Sequence, residues 1–261
     1  MTWEVRTVDR LSAELLVQLR TEQIAAAVVP GYCTPRAAEL ISALLVEHPE
    51  RVNYRARWAR GTEAGIQAED RFTETDVDRV GPIDTPPEGA PRQQDPVSMI
   101  RAIRSAASPE LAPIDRLRLE LDEVAPLGAG LYRDGSTVRL SGVGRVMESS
   151  RQLVHADVGR RDCLTANVYL RMPGTGGGTR IWRHDGPYRQ STGAYRFADG
   201  EIPTEAPSCV VQPNVGDLVV WNPALPHMVL GFDDPPRVTL QTWLQLRHEP
   251  DASDFSVRLL T

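Results

Sequence analysis

The sequence predicts an α+β protein in which N-terminal helices support a β-rich second half. Apolar residues recur at helical spacing in the first half of the chain. From about Gly128 onward, short β-like runs alternate with Gly, Pro, Asp or Asn. Many short strands separated by turn signals are typical of a sandwich or a barrel. We therefore predict a β sandwich or barrel that is buttressed by helices.

Four helices are predicted in the first half. One follows from the apolar spacing between Leu11 and Ala26. The other three follow from a Ser, Thr or Asp directly before a proline, a pair that caps a helix and supplies its first residue. These pairs are Thr34-Pro35, Asp95-Pro96 and Ser108-Pro109. Between the first two helices, Val28 and Val29 predict one early strand that ends at a Pro-Gly turn.

Two long polar segments are predicted to lie outside the regular elements. Arg51 to Asp95 is highly charged, and residues 81–96 contain five prolines, which excludes a regular helix or a central strand there. Arg183 to Pro207 carries several arginines and tyrosines. Each segment is either a solvated surface loop or a lid over a binding site, because long loops are commonly functional or disordered.

Composition excludes several classes of protein. The net charge of −6 argues against a nucleic-acid binder, and no apolar run is long enough for a transmembrane helix. The N-terminus has no signal-peptide layout, so we expect a cytoplasmic protein. The three cysteines are scattered and predict no disulfide framework. The 261 residues suit one domain, with a support part over 1–127, a β core over 128–250 and a C-terminal tail over 251–261.

A candidate metal site is formed by His155 and Asp157 together with His227. Residues i and i+2 of a strand point to the same face, so His155 and Asp157 can reach one metal ion. Two histidines and one carboxylate form the facial triad that holds non-haem Fe(II) and leaves positions open for a co-substrate and dioxygen. A chance His-x-Asp pair is the alternative, and the β-rich context with a distant histidine favours the metal site.

Arg237 is the candidate anchor for an acidic co-substrate. All 29 basic residues of the chain are arginines, so an acidic ligand can meet only an arginine. Arg237 shares one face of a predicted strand with Thr239, Gln241 and Trp243. A buried guanidinium requires a partner, which is either a ligand carboxylate or a structural ion pair. Together with the iron ligands, an anchor for a dicarboxylic acid indicates a 2-oxoglutarate-dependent oxygenase.

The segment from His155 to Trp243 resembles the prolyl-4-hydroxylase-type branch of the Fe(II)/2-oxoglutarate-dependent dioxygenases. The matching stretches are HAD, LTANVYL, GGGTRIW, VQPNVGDLVVW, PHMV and RVTLQTW, in this order. They cover about a third of the chain. The resemblance implies a double-stranded β-helix, a jelly-roll or cupin-like barrel that is buttressed by N-terminal helices.

The resemblance also implies roles for individual residues. His155, Asp157 and His227 would bind Fe(II), and Arg237 would bind the distal carboxylate of 2-oxoglutarate. Tyr169 and Thr239 would contact the same co-substrate, and dioxygen is the second co-substrate. Asp157 stands where related halogenases have a small residue that frees a site for halide, so its carboxylate favours hydroxylation.

The reaction expected is hydroxylation of an unactivated C–H bond in a small molecule, such as an amino acid or a biosynthetic intermediate. A carboxylate on that substrate would suit the arginines of the segment 183–207. Two alternatives remain open from the sequence. One is a protein or peptide hydroxylase of the same superfamily, and the other is a cupin-like barrel that binds a metal or a ligand without oxidation.

Overall fold

The computed structural model describes most of the chain, with gaps mainly in the two long polar segments. The described residues are 3–48, 52–53, 77–80, 96–134, 137–138, 141–147, 154–157, 163–184, 195–197, 202–232, 236–248 and 254–260. None of the helices in these ranges is long and apolar enough to cross a membrane.

The described helices are α1 (Ala13–Arg20), α2 (Pro35–Val46), α3 (Pro96–Ala107) and α4 (Pro113–Val124). The cap predicted at Thr34 is confirmed, since its hydroxyl accepts a hydrogen bond from the backbone N–H of Ala37. The prediction at Ser108-Pro109 is wrong, because α4 begins at Pro113. A helix that began at 109 would carry Pro113 in its interior, where the missing N–H and the ring are unfavourable.

A ten-stranded sheet is the larger of two that form the barrel. Its strands are β1 (Val5–Thr7), β2 (Ala26–Val29), β3 (Val52–Asn53), β4 (Val77–Val80), β5 (Ala129–Leu131), β8 (Val143–Met147), β10 (Cys163–Arg171), β14 (Leu218–Trp221), β16 (Arg237–His248) and β17 (Phe255–Leu260). The main order is β1-β2-β14-β10-β16-β8-β4-β3, and β17 joins β16 to β5. The long strands β10 and β16 lie at its centre and pair antiparallel.

The smaller sheet has five strands, in the order β12-β9-β15-β11-β13. They are β9 (His155–Ala156), β11 (Thr179–Trp182), β12 (Tyr195–Arg196), β13 (Ser208–Val211) and β15 (His227–Val229). A separate pair is formed by β6 (Arg133–Asp134) and β7 (Thr137–Val138). The fold thus contains the two sheets that the β-rich second half predicts.

The large sheet lies between the helices and the small sheet. Leu164, Ala166 and Val168 of β10 belong to the hydrophobic cluster that contains the buried side chains of the helices. Tyr169 belongs to a second cluster, with Ile181 of the small sheet. Alternate residues of a strand point to opposite faces, so the odd-numbered residues of β10 face the barrel interior.

Three features of the chain differ from the sequence-based expectation or extend it. The first predicted helix ends at Arg20, and Ala26 begins β2, which pairs in parallel with the unpredicted strand β1. The residues predicted as a C-terminal tail contain β17, with Phe255 and Leu259 buried. Within 51–95, β3 and β4 form the edge of the large sheet, and the remainder lies outside the described residues.

Candidate metal centre

The structure brings His155, Asp157 and His227 together at one end of the small sheet. His155 and His227 are paired residues of the antiparallel strands β9 and β15, and their ring centroids are 4.3 Å apart. Asp157 follows β9 directly, and its backbone N–H donates to the Pro223 carbonyl at 2.8 Å. The candidate ligand atoms of the three residues all lie within 4.8 Å of one another. This distance suits a shared metal ion.

His227 is held in one orientation by the backbone. Its Nδ1 lies 2.8 Å from the Leu225 carbonyl oxygen, which can only accept, so Nδ1 donates and Nε2 keeps a lone pair. Burial lowers the pKa of His227; Asp157 and the Leu225 hydrogen bond oppose that shift, and Arg145 adds to it. The imidazole is therefore neutral at neutral pH, which is the form that binds a metal.

Arg237 is buried on the inner face of the large sheet and contacts neutral groups. Its Nε donates to the Gly177 carbonyl at 2.9 Å, and one Nη donates to the Tyr169 hydroxyl at 3.2 Å. The other Nη lies 3.5 Å from the sulfur of Met147. Among the described residues, no acidic side chain forms an ion pair with Arg237. The structural ion pair that the sequence left open is thus not found in this part of the chain.

A glycine run supplies one of these contacts. Gly176 and Gly177 both have positive φ, and a Cβ on Gly176 would lie 2.0 Å from the Gly231 carbonyl oxygen. The run leads into β11, as predicted, rather than into a phosphate-binding helix. It turns the chain so that the Gly177 carbonyl meets Arg237, and Thr179 lies 3.5 Å from the Tyr169 hydroxyl.

Tyr169 and Thr239 both lie on the inner face of the large sheet, with different relations to Arg237. Tyr169 is fully buried, and its ring centroid is 4.9 Å from the Arg237 guanidinium carbon. Thr239 is buried opposite Tyr169 in the register of β10 and β16. The hydrogen bonds described for Arg237 do not include Thr239. Tyr169 is therefore the closer partner of the arginine.

A polar group on the same inner face was not assigned as a site by the sequence. We name Arg145, Gln241, Thr165 and Asn167 the inner polar row. Arg145 donates to Gln241 at 2.7 Å, and Gln241 donates to Thr165 at 2.9 Å. The side-chain oxygen of Asn167 is buried and has no hydrogen-bond partner within the described ranges. The period-two pattern in LTANVYL was the available signal, since it puts Thr165 and Asn167 on the face of Tyr169.

The remaining candidate residues lie apart from this centre or outside the described ranges. His184 follows β11, and its ring lies 6.0 Å from Phe197. Of the segment 183–207, only residues 183–184, 195–197 and 202–207 are described. Burial raises the pKa of Cys33 and of Cys209 to about 11, so neither is a ready thiolate nucleophile.

The donor set fits a ferrous ion and an acidic co-substrate. Two imidazoles and one carboxylate match the preference of non-haem Fe(II) for mixed nitrogen and oxygen ligands. Arg237 presents a buried cation and a neighbouring phenol hydroxyl, a combination that suits a carboxylate. The oxygen of Asn167 and the ring N–H of Trp221, which have no hydrogen-bond partner in the described part of the chain, add buried polar atoms on the same inner face.

Comparisons with known proteins give structural relatives only. No family model and no curated protein matches the sequence. A prolyl-4-hydroxylase from Pseudomonas putida is 16% identical, with 86% of this chain and 94% of that chain covered and a TM-score of 0.46. HygX from Streptomyces hygroscopicus, solved with nickel and 2-oxoglutarate, is 17% identical, with 89% and 86% covered and a TM-score of 0.45.

An N-substituted L-amino acid dioxygenase from Burkholderia ambifaria has a TM-score of 0.53. The two chains are 14% identical, and the match covers 95% of this chain and 91% of that one. This identity is low, so the likeness concerns the fold. With its two facing sheets and its helical support, the chain has the double-stranded β-helix fold of that dioxygenase.

Proposed function

We propose that the protein is a non-haem Fe(II)- and 2-oxoglutarate-dependent dioxygenase that hydroxylates an unactivated C–H bond of a small molecule, such as an amino acid or a biosynthetic intermediate. One observation carries this proposal. Two histidines and an aspartate with ligand atoms within 4.8 Å of one another share a barrel with a buried arginine that has no ion-pair partner among the described residues.

His155, Asp157 and His227 would hold the iron. The Leu225 carbonyl fixes the tautomer of His227, which a neutral metal-binding imidazole requires. The backbone of Asp157 is anchored to Pro223, so its carboxylate is presented from a fixed position. Ferrous iron with 2-oxoglutarate and dioxygen supplies the oxidising power for C–H hydroxylation, and the protein orients the reactants and limits side reactions.

Arg237 would bind the distal carboxylate of 2-oxoglutarate, assisted by Tyr169. Both side chains are almost completely buried, so water competes weakly for the carboxylate. Thr239 lies beside Tyr169 in the register and would line the same pocket. Asp157 contributes a carboxylate to the proposed set of metal ligands and leaves no free position for a halide there. This supports hydroxylation over halogenation. The N-substituted amino acid named for the Burkholderia enzyme supports a small substrate.

Anaerobic metal titration and aerobic product analysis test this function. The wild-type protein should bind one Fe(II) per chain and release succinate from 2-oxoglutarate in air. His227→Ala should lose most of its iron at micromolar supply, because removal of one ligand leaves two. His248→Ala is the matched control, since this histidine is exposed at the end of β16. A wild-type protein that binds iron but neither binds nor consumes 2-oxoglutarate would instead be a non-oxidative barrel.

A further inference from the structure

We propose that Arg145 binds a carboxylate of the substrate beside the metal centre, and that Gln241 and Thr165 position its guanidinium. The inference rests on the proposed function and names a substrate class for it, a small carboxylic acid. Arg145 lies on β8 and points to the inner face of the sheet. Val143 and Met147, which are two residues away on the same strand, point to that face as well. Met147 in turn contacts Arg237.

Arg145 and Arg237 are two separate cations on one wall of the barrel. Arg237 is paired with Met147 in the register of β16 and β8, whereas Arg145 is paired with Thr239. Two residues along a strand correspond to about 7 Å, so the two guanidinium groups serve different positions. Arg237 is 4% exposed, and Arg145 is half-buried. The more deeply buried Arg237 suits a co-substrate, and the more exposed Arg145 suits a substrate that binds afterwards.

A buried hydrogen-bond chain fixes the direction of Arg145. Gln241 accepts from Arg145 at 2.7 Å through its oxygen and donates to Thr165 at 2.9 Å through its nitrogen. Gln241 and Thr165 are 3% and 1% exposed. Because Thr165 engages the amide nitrogen, the amide oxygen of Gln241 faces the guanidinium. Three neighbouring strands thus cooperate to hold one cation in place.

The inner polar row that holds Arg145 leads to the candidate metal ligands. Within 143–147, 163–169 and 237–243, the inner-facing residues include two arginines, Arg145 and Arg237, and no acidic residue. Thr165, which accepts from Gln241, is paired with Trp221 in the register of β10 and β14, and the ring centroid of Trp221 lies 6.0 Å from that of His227. A carboxylate bound to Arg145 would therefore lie near the iron.

Asn167 supplies a second polar group in the same row. It is paired with Gln241 in the register of β10 and β16, it is 4% exposed, and its side-chain oxygen has no hydrogen-bond partner among the residues that the structure describes. A buried acceptor without a donor is unfavourable, so this oxygen indicates a ligand N–H or O–H. A carboxylic acid with a nearby amino or hydroxyl group offers both of the groups that the row requires.

A carboxylate at Arg145 has two possible sources, the substrate and the C1 carboxylate of 2-oxoglutarate. Calorimetric titration of 2-oxoglutarate into the Ni(II)-loaded protein separates them without turnover. For a substrate site, we expect Arg145→Gln to leave the dissociation constant for 2-oxoglutarate within about twofold of the wild type. Arg180→Gln is the matched control, because Arg180 is exposed on β11. A tenfold or larger loss of 2-oxoglutarate affinity in Arg145→Gln alone would overturn the substrate assignment.

The second titration uses the twenty common L-amino acids and their carboxamides as probes, with the Ni(II)- and 2-oxoglutarate-loaded protein. We expect the acids that bind the wild type to bind at least tenfold more tightly than their amides. Arg145→Gln should bind each acid and its amide equally, and Arg145→Lys should keep part of the preference. Gln241→Leu should weaken the binding of the acid without weakening the binding of 2-oxoglutarate, because Gln241 acts by positioning Arg145.

The outcomes separate this inference from the proposed function. If Arg145→Gln and Arg145→Lys fold and both keep the full preference for acid over amide, the inference is wrong and the oxygenase proposal stands. The inference is also wrong if no probe shows such a preference in the wild type. If the wild type fails to bind Ni(II) or 2-oxoglutarate at all, the proposed function itself is wrong.

Discussion

At the scale of single residues, the buried charge of Arg237 is the feature with the clearest energetic consequence. Its described partners are a carbonyl, a phenol and a thioether, which are neutral groups. A buried cation is costly unless its charge is compensated. A ligand carboxylate would provide this compensation, so Arg237 would link the stability of the protein to the proposed co-substrate.

Arg237→Gln should raise the 2-oxoglutarate concentration needed for half-saturation by about two to four orders of magnitude, since breaking a buried charged pair costs about 3–5 kcal/mol. Iron binding should persist, because Arg237 is not a ligand. Thermal unfolding with and without 2-oxoglutarate measures the effect. The co-substrate should raise the Tm of the wild type and of Arg180→Gln but not that of Arg237→Gln. An equal rise in all three proteins would assign the carboxylate to another residue.

At the scale of elements, the glycine run before β11 determines how the two sheets meet at Arg237. Positive φ at Gly176 and Gly177 is accessible to glycine at little cost. The close approach of Gly176 to Gly231 leaves no room for a side chain. The turn therefore presents the Gly177 carbonyl to Arg237 through backbone geometry alone.

Gly176→Ala should destabilise the protein more than Gly31→Ala. Both glycines have positive φ, which costs an alanine about 1–2 kcal/mol. A Cβ at Gly176 would also meet the Gly231 carbonyl at 2.0 Å, whereas a Cβ at Gly31 would meet nothing within 4 Å. Chemical denaturation measures the difference, and Gly176→Ala should also weaken 2-oxoglutarate binding. Equal stability of the two variants would show that the turn relaxes without cost.

At the scale of the whole molecule, the helices support the barrel from the outer face of the large sheet. Ile41 of α2 is completely buried in the cluster that contains the outer-facing residues of β10. Leu40, its neighbour on the same helix, is 41% exposed. This contrast allows the contribution of the helix–sheet contact to be measured apart from helix propensity.

Ile41→Ala should lower the free energy of unfolding by about 2–5 kcal/mol, because it removes buried methyl groups and leaves a cavity. Leu40→Ala should change it by about 0.5 kcal/mol or less, since the site is exposed. Iron stoichiometry in the folded fraction should be the same for both variants, because α2 supplies no metal ligand. A loss of iron in folded Ile41→Ala would show that the helical layer also shapes the metal centre.

Substrate selection is expected to reside in the loops 51–95 and 183–207, which lie largely outside the described residues. Because the strands carry the proposed metal and co-substrate sites, a deletion in either segment that leaves β3, β4 and β12 intact should affect the substrate alone. Shortening either loop should abolish hydroxylated product while slow formation of succinate persists. Measuring both products side by side checks this. A parallel loss of both in a folded variant would mean that the loop supports the barrel instead.

The sequence was sufficient to predict the β-rich half, the clustering of His155 and Asp157 with His227, and the inner position of Arg237. The reason is that a strand has a period of two, so the faces of His155 and Asp157, and of Arg237 and Thr239, can be read along the chain. Proline and cap residues likewise predicted α2. The same signals gave a wrong helix start at Ser108-Pro109, because Pro113 is the first residue of that helix.

Only the tertiary structure decided which distant residues complete these patterns. The Gly177 carbonyl, in the turn before β11, and Met147 of β8 reach Arg237 across 60 and 90 residues. Gln241 joins Arg145 to Thr165 across 96 and 76 residues. Such contacts depend on strand order and register, which single-strand periodicity does not contain. The sequence by itself therefore determined which residue types stand at the candidate metal centre and at Arg237. The packing of the sheets determined which distant groups contact them.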